Sequence, residues 1–202
     1  MARFRTNHSS SGKTGGSTIA RVGLFGAIIA GLVYFFNQSH LEPNLDYEGE
    51  AYYLPSGGTG QIVHHQGFSI SYDENWEQAE WTAHILTANQ LNQNWSRRQD
   101  NWRKDDMVRG GTASSNDYRG SGYDRGHLVP FADLAWNAAW ADESFMMSNI
   151  SPQARQFNQG IWRELEELTR DWAKRFERLY VITGPVMTRD PKGEIGRETK
   201  VA

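Results

Sequence analysis

Of the six histidines in the chain, His127 has the most suggestive neighbours: Asp124, Arg125 and Gly126 precede it directly. An imidazole accepts a proton near neutral pH and so can activate water. Gly126 allows an unusual backbone conformation or a close backbone approach. Downstream, Asn158 carries an amide oxygen, a hard donor suited to Mg²⁺, and is equally a good helix N-cap. A helix opening at Asn158 would present Asn158, Trp162 and, more to the side, Glu166 on one face. A Mg²⁺ ion that keeps most of its waters needs only one or two protein ligands. His64, His65 and His84 have no acid at metal-ligand spacing and read as structural or surface residues. Spacing alone leaves a hydrolytic metal site and a purely structural reading equally open.

Composition narrows the chemistry. The chain has no cysteine, which excludes disulfides, cysteine-ligated zinc, iron–sulfur clusters and thiol catalysis. Its 202 residues, 38% hydrophobic, suffice for one domain with a core plus an appendage. The net charge is −3, from 21 basic and 24 acidic residues, so it is neither a bulk-basic nucleic-acid coat protein nor a strongly acidic chain. The charge is unevenly spread. Residues 1–40 hold Arg3, Arg5, Lys13 and Arg21 and no acid, a charge of +4. Taking those four from 21 leaves 17 basic against 24 acidic residues, so the remainder carries −7. Within it, Arg97 to Arg125 holds seven basic and five acidic residues, a local +2 beside His127. Phosphate contacts need a local basic footprint of this kind, not a basic protein.

The elements that must position these residues mix strands and helices without regular βαβ alternation, which predicts the α+β class. Phe68–Tyr72 alternates apolar and polar residues and reads as a strand; Trp81–Thr87 is a second. Asn92–Gly122 is polar, charged and glycine-bearing, a loop long enough to be functional or disordered. From Asn158 to Phe176 the apolar residues Ile161, Leu165, Leu168, Trp172 and Phe176 recur at helical spacing, which predicts a helix with one buried stripe. Leu179–Thr183 is a strand stopped by Gly184-Pro185. No internal repeat is present. Trp102, Tyr118 and Tyr123 could stack on bases but are as readily core residues.

The N-terminus reads as an address. Residues 1–18 form a polar basic tail. Val22 to Phe36 is apolar, and Ile19 and Ala20 extend it if Arg21 snorkels. The run ends in Tyr34-Phe35-Phe36-Asn37-Gln38, without a small-residue cleavage site. Residues 19–37 therefore read as one transmembrane signal anchor, with secretion after signal cleavage as the alternative. Because positive flanks stay cytoplasmic, the rest is expected outside the cytoplasm, in a periplasm or at the cell surface. Residues 38–60 form a linker and 61–202 the domain.

Asp124-Arg125-Gly126-His127 resembles the DRGH signature of the DNA/RNA non-specific endonucleases, the ββα-metal (His-Me finger) nucleases. The likeness runs longer than the tetrapeptide. It includes Asp117–His127, Ser148-Asn149-Ile150-Ser151-Pro152-Gln153, then Asn158-Gln159, Trp162 and Leu165-Glu166 in family order, and Leu179–Pro185. It covers about residues 62–190. The resemblance implies a mixed or antiparallel sheet and Mg²⁺- or Mn²⁺-dependent, sugar-non-specific hydrolysis of DNA and RNA through the phosphate backbone. The products would carry 5′-phosphate and 3′-hydroxyl ends. It implies His127 as general base, Asn158 as the direct metal ligand, Glu166 as holder of metal-bound waters and Asn149 as an orienting neighbour. Arg125 would contact phosphate or support the site. Arg98, or else Arg97, would match an upstream phosphate clamp. It also implies a possible homodimer.

The family pattern expects a further loop and strands after the strand at Leu179, so a domain incomplete at its C-terminus is expected. The competing readings are a non-catalytic nucleic-acid-binding relative and an inactive truncated fragment.

Overall fold

The fold is built outward from β3 (Gln78–Thr87), in which every residue except Glu80 is buried. Burial on both faces marks a central strand, and its apolar and small residues (Ala79, Trp81, Ala83, Ile85, Leu86) suit that place. The computed structural model describes residues 54–187, 193–197 and 199–201. The chain divides into two units, 1–51 and 52–202; the expected tail and anchor, and most of the expected linker, lie outside the described residues. Among the described residues no helix is long and apolar enough to cross a membrane.

β1 (Gln61–His64), β2 (Ser69–Asp73), β3 and β6 (Arg178–Thr183) form an antiparallel sheet in the order β1-β2-β3-β6. Thr87 then caps the short α1 (Ala88–Leu91) through a reciprocal capping box with Gln90. The long segment from Asn92 to Gly122 is a loop, as its composition predicts, apart from one bridge between Arg103 and Met146. It leads into β4 (Tyr123–His127), which pairs antiparallel with β5 (Ile150–Ala154) as a separate two-stranded ribbon. Between them lie α2 (Phe131–Leu134), α3 (Ala138–Glu143, capped by Asn137) and a 3₁₀ turn at Met147–Asn149. After β5 come a helical turn α4 (Arg155–Phe157), a π turn at Asn158–Trp162 kinked at Gly160, and α5 (Arg163–Phe176). The main core gathers Ile70 and Tyr72 from β2, and Phe68 just before it, with Leu128, Val129 and Leu134.

Two expectations need correction. Helical backbone begins at Arg155, not Asn158, so Asn158 is no N-cap; it has helical φ/ψ, and its side chain is free for other work. The apolar stripe of α5 is not buried. Ile161, Leu165, Leu168, Trp172 and Phe176 are all exposed, between 42% and 67%. The helix docks by another side, burying Ala173 against Leu86 and Leu91 and sending Arg170 to Asp133. Periodicity shows that a face is apolar, not that anything covers it.

Of the three histidines set aside as structural, His64 shares a hydrogen bond with Ser69 Oγ at 2.8 Å, and the other two are held by acids distant in sequence. His65 Nε2 lies 3.1 Å from Asp105, which also accepts from Ser148 Oγ at 2.5 Å. Burial pushes Asp105 up, but the hydrogen bonds of His65 and Ser148 outweigh it and leave the carboxyl below its ordinary range. This pair fastens the long loop to the β1–β2 hairpin. His84, fully buried on β3, meets Asp133 at 3.0 Å.

Glu80 ties the segment before β1 to the sheet. It accepts from Thr59 N and Oγ1, Gly60 N and Ser71 Oγ. Partial burial pushes its pKa up, but these four bonds overcome that and bring it down to about 2. A depressed folded-state pKa stabilises fully above the unfolded value of about 4.5, and the contribution is lost as pH falls towards 2. Glu80→Gln should therefore lower thermal stability relative to the native chain at pH 7, with the gap closing between about pH 4.5 and 2. Acid titration of the melting temperature checks this; a gap independent of pH would show that the charge on Glu80 contributes nothing.

Candidate active site

Strand alternation sorts the residues of β4. Successive side chains point to opposite faces, so Asp124 turns one way while Arg125 and His127 turn the other. Gly126 is required by its neighbour: a Cβ there would collide with the buried side chain of Gln153.

On the His127 face, aromatic rings form the packing. His127 lies 5.1 Å from Trp102 and 5.1 Å from Phe145, the latter edge-on. Its Nε2 is buried and takes no hydrogen bond from any described residue. Burial, and next the positive charge of Arg98, bring its pKa down to about 3. The ring is therefore neutral at pH 7, the form that accepts a proton. Arg125 stacks on Trp102 with Cζ 5.0 Å from the ring centre and donates from Nη1 to Ser115 Oγ at 2.7 Å. Arg98 stacks on Phe145 and Phe131, and its Nε donates to Asp100 at 2.8 Å.

On the other face, Asp124 Oδ2 accepts from Asn158 Nδ2 at 3.1 Å and from Gln159 Nε2 at 3.0 Å. A carboxylate only accepts, so the NH₂ end of the Asn158 amide must face it, leaving Oδ1 as the end available to the cavity. Trp162 Nε1 donates to the His127 carbonyl at 3.3 Å, a second tie between the helical segment and β4.

These elements enclose a cavity of about 390 Å³ lined by Arg98, Arg125, His127, Asn158, Gln159, Arg163 and Glu166, with Phe131 on one wall. Burial pushes Glu166 up to about 7, Asp133 adds to the rise, and Arg170 opposes it. Its carboxylate form, the one that a hard cation takes, prevails above that pH. An amide oxygen and a carboxylate facing one cavity fit a hydrated divalent ion of the Mg²⁺ type. No cluster of three or more His, Cys, Asp or Glu that could hold a metal stands among the described residues.

Five residues singled out in the sequence thus meet in one place: Arg98, Arg125, His127, Asn158 and Glu166. Arg97 does not; it lines a separate cavity of about 240 Å³ behind Phe131 and Phe145. Asn149 is not on the wall either. Fully buried, it donates from Nδ2 to the carbonyls of Val129 and Ser144 and accepts from Val129 N, so it acts by fixing the backbone after His127. Sequence reasoning missed the clamp made by Asp124, the parts of Gln159 and Arg163, and the support from Trp102 and Phe145. The period of two in β4 was the available signal for Asp124.

The sequence profile of the DNA/RNA non-specific endonucleases matches residues 15–202. Mitochondrial endonuclease G of Homo sapiens is 35% identical over 136 residues, 67% of this chain and 45% of that protein. A nuclease of Nostoc sp. is 33% identical over 138 residues, 66% of this chain and 46% of that one. Mitochondrial nuclease 1 of Schizosaccharomyces pombe is 34% identical over 138 residues, 67% and 42%. The chain thus spans less than half the length of these relatives. In a solved EndoG/EndoGI complex, one chain superposes with a TM-score of 0.68 at 26% identity, over 79% of this chain and 71% of that one.

Removing the Asp124 carboxylate frees the Asn158 amide to rotate. If the cavity takes a divalent ion, Asp124→Ala should raise the Mg²⁺ requirement of the folded chain, read by Mg²⁺ titration, by about 10–100-fold, the usual cost of losing a group that orients a metal ligand. An unchanged metal requirement in a folded variant would dismiss the clamp.

Proposed function

Since the chain belongs to the DNA/RNA non-specific endonuclease family, we propose that it hydrolyses phosphodiester bonds of DNA and RNA at the cavity between β4 and α5. The observation that carries this reading is the convergence there of an unpartnered, neutral imidazole nitrogen with the Asn158 amide oxygen and two arginines.

The chain's own residues divide the work. Arg98 and Arg125 hold the phosphodiester; guanidinium forks suit phosphate oxygens and read no base, so cutting is sequence-tolerant. His127 Nε2 takes a proton from the attacking water. A bound phosphate brings negative charge beside the ring and raises its pKa from the low value set by burial and Arg98 towards useful basicity. Trp102 and Phe145 keep the ring from turning, and the carbonyl bond from Trp162 fixes its backbone. Asn158 Oδ1 would be the direct donor for Mg²⁺ or Mn²⁺, and Glu166 would hold waters around the ion. When bound, the ion stabilises charge on the phosphate and assists the leaving oxygen. The expected products keep the phosphate on the 5′ end.

His127→Ala should lower metal-dependent cutting of plasmid DNA and of RNA by roughly 10²–10⁴-fold, and chelator should abolish it. Arg98→Ala should weaken cutting far more than Arg97→Ala, because only Arg98 faces the cavity. Equal cutting by His127→Ala and the native chain would reject the assignment. Binding without cutting by the native chain would favour a non-catalytic relative.

We also propose that residues 19–37 tether this domain outside the cytoplasm; the apolar run and its +4 flank support that reading. Protease added outside intact cells or spheroplasts should remove the domain, and protection would reverse the orientation.

A further inference from the structure

We propose that Arg163 forms a second phosphate-binding subsite on the helix wall of the cavity, taking a phosphodiester of the same nucleic-acid strand next to the one at His127. The inference rests on the nucleic-acid reading above.

The cavity is lined by three guanidinium groups, and the protein restrains them unequally. Arg125 is fixed by Ser115 and Trp102, and Arg98 by Asp100 and two phenylalanine rings. Two helical turns after Arg163, Arg170 is committed to buried Asp133 at 2.9 Å and is itself mostly buried. Arg163 differs. Its side chain is 62% exposed, and its ion pair with equally exposed Glu167 is stretched to 3.8 Å. A loose surface pair of that kind contributes little and yields readily to a better partner.

Position gives the ligand. Arg163 opens α5 just beyond the kink at Gly160, and it lines the same cavity as His127 and Asn158. A strand whose scissile phosphate sits between His127 and Asn158 therefore passes its next or second phosphate within reach of the Arg163 fork. The contact adds affinity and strand register without sequence preference.

Binding, not cutting, tests this. The full chain carrying His127→Ala, kept in chelator, would be titrated with a short fluorescein-labelled single strand by anisotropy from about 50 to 200 mM salt. Adding Arg163→Ala should weaken binding roughly fivefold to tenfold and flatten the log–log salt slope by about 0.7, the loss of one phosphate contact. Arg163→Lys should keep the slope and lose part of the affinity. Arg175→Ala, an equal charge change at the far end of α5, is the control and should leave both readings near those of the parent. An Arg163→Ala variant that binds like the parent, or an Arg175→Ala variant that matches its loss, overturns the subsite. If the parent fails to bind at low salt, the subsite and the nucleic-acid reading fall together. If the parent binds and Arg163→Ala weakens it while the native chain cuts nothing, hydrolysis falls and the subsite stands.

Discussion

The Asp124 carboxylate, shared between the amides of Asn158 and Gln159, is the interaction on which the rest of the site depends. It sits on the strand that ends in His127 and reaches the helical segment that carries Asn158. One carboxylate therefore does two jobs: it ties the strand to the helical segment, and it decides which end of the Asn158 amide is presented to the cavity. The period of two in the strand makes this possible, because Asp124 and His127 leave β4 on opposite sides. The kink at Gly160 separates the turn held by Asp124 from α5, so the Asn158 amide can be set by the clamp and the helix by its own anchors.

Those anchors lie deeper. Arg170 joins α5 to Asp133, and Asp133 is held in turn by His84 on the central strand. Glu166, one helical turn before Arg170, takes its place in the cavity from this chain of contacts. On the other wall, Asn149 locks the backbone that follows His127, and the neighbouring Ser148 joins Asp105 and His65 in holding the long loop that delivers Arg98. Buried polar contacts of this kind favour one arrangement, and here they hold the segments that carry Glu166, His127 and Arg98.

Much of the cavity's lining was legible because it lies in short sequence runs. Asp124–His127, Asn158 and Glu166 are local signatures, and the strands at Phe68, Trp81 and Leu179 follow from period and composition. What the sequence concealed was mostly long-range. Nothing near His65 or His84 hints at Asp105 or Asp133, which are 40 and 49 residues away. The choice between Arg98 and Arg97 was open on spacing and was made by Phe131 and Phe145, which place one arginine in the cavity and the other behind it. The stripe on α5 failed for another reason. Its pattern was read correctly as helical, but burial depends on what lies opposite, and the helix is anchored by Ala173 and Arg170 on a different side.

The central claim is that Asp124 turns the oxygen of Asn158 into the cavity to hold a divalent ion beside His127. Anomalous diffraction from crystals of the chain soaked in Mn²⁺ tests it most directly. The account predicts one peak in the cavity, at about 2 Å from Asn158 Oδ1, with Nδ2 still on Asp124 and Glu166 reaching the ion through water. A peak held by other residues, or an Asn158 amide turned with its nitrogen towards the ion, would contradict it.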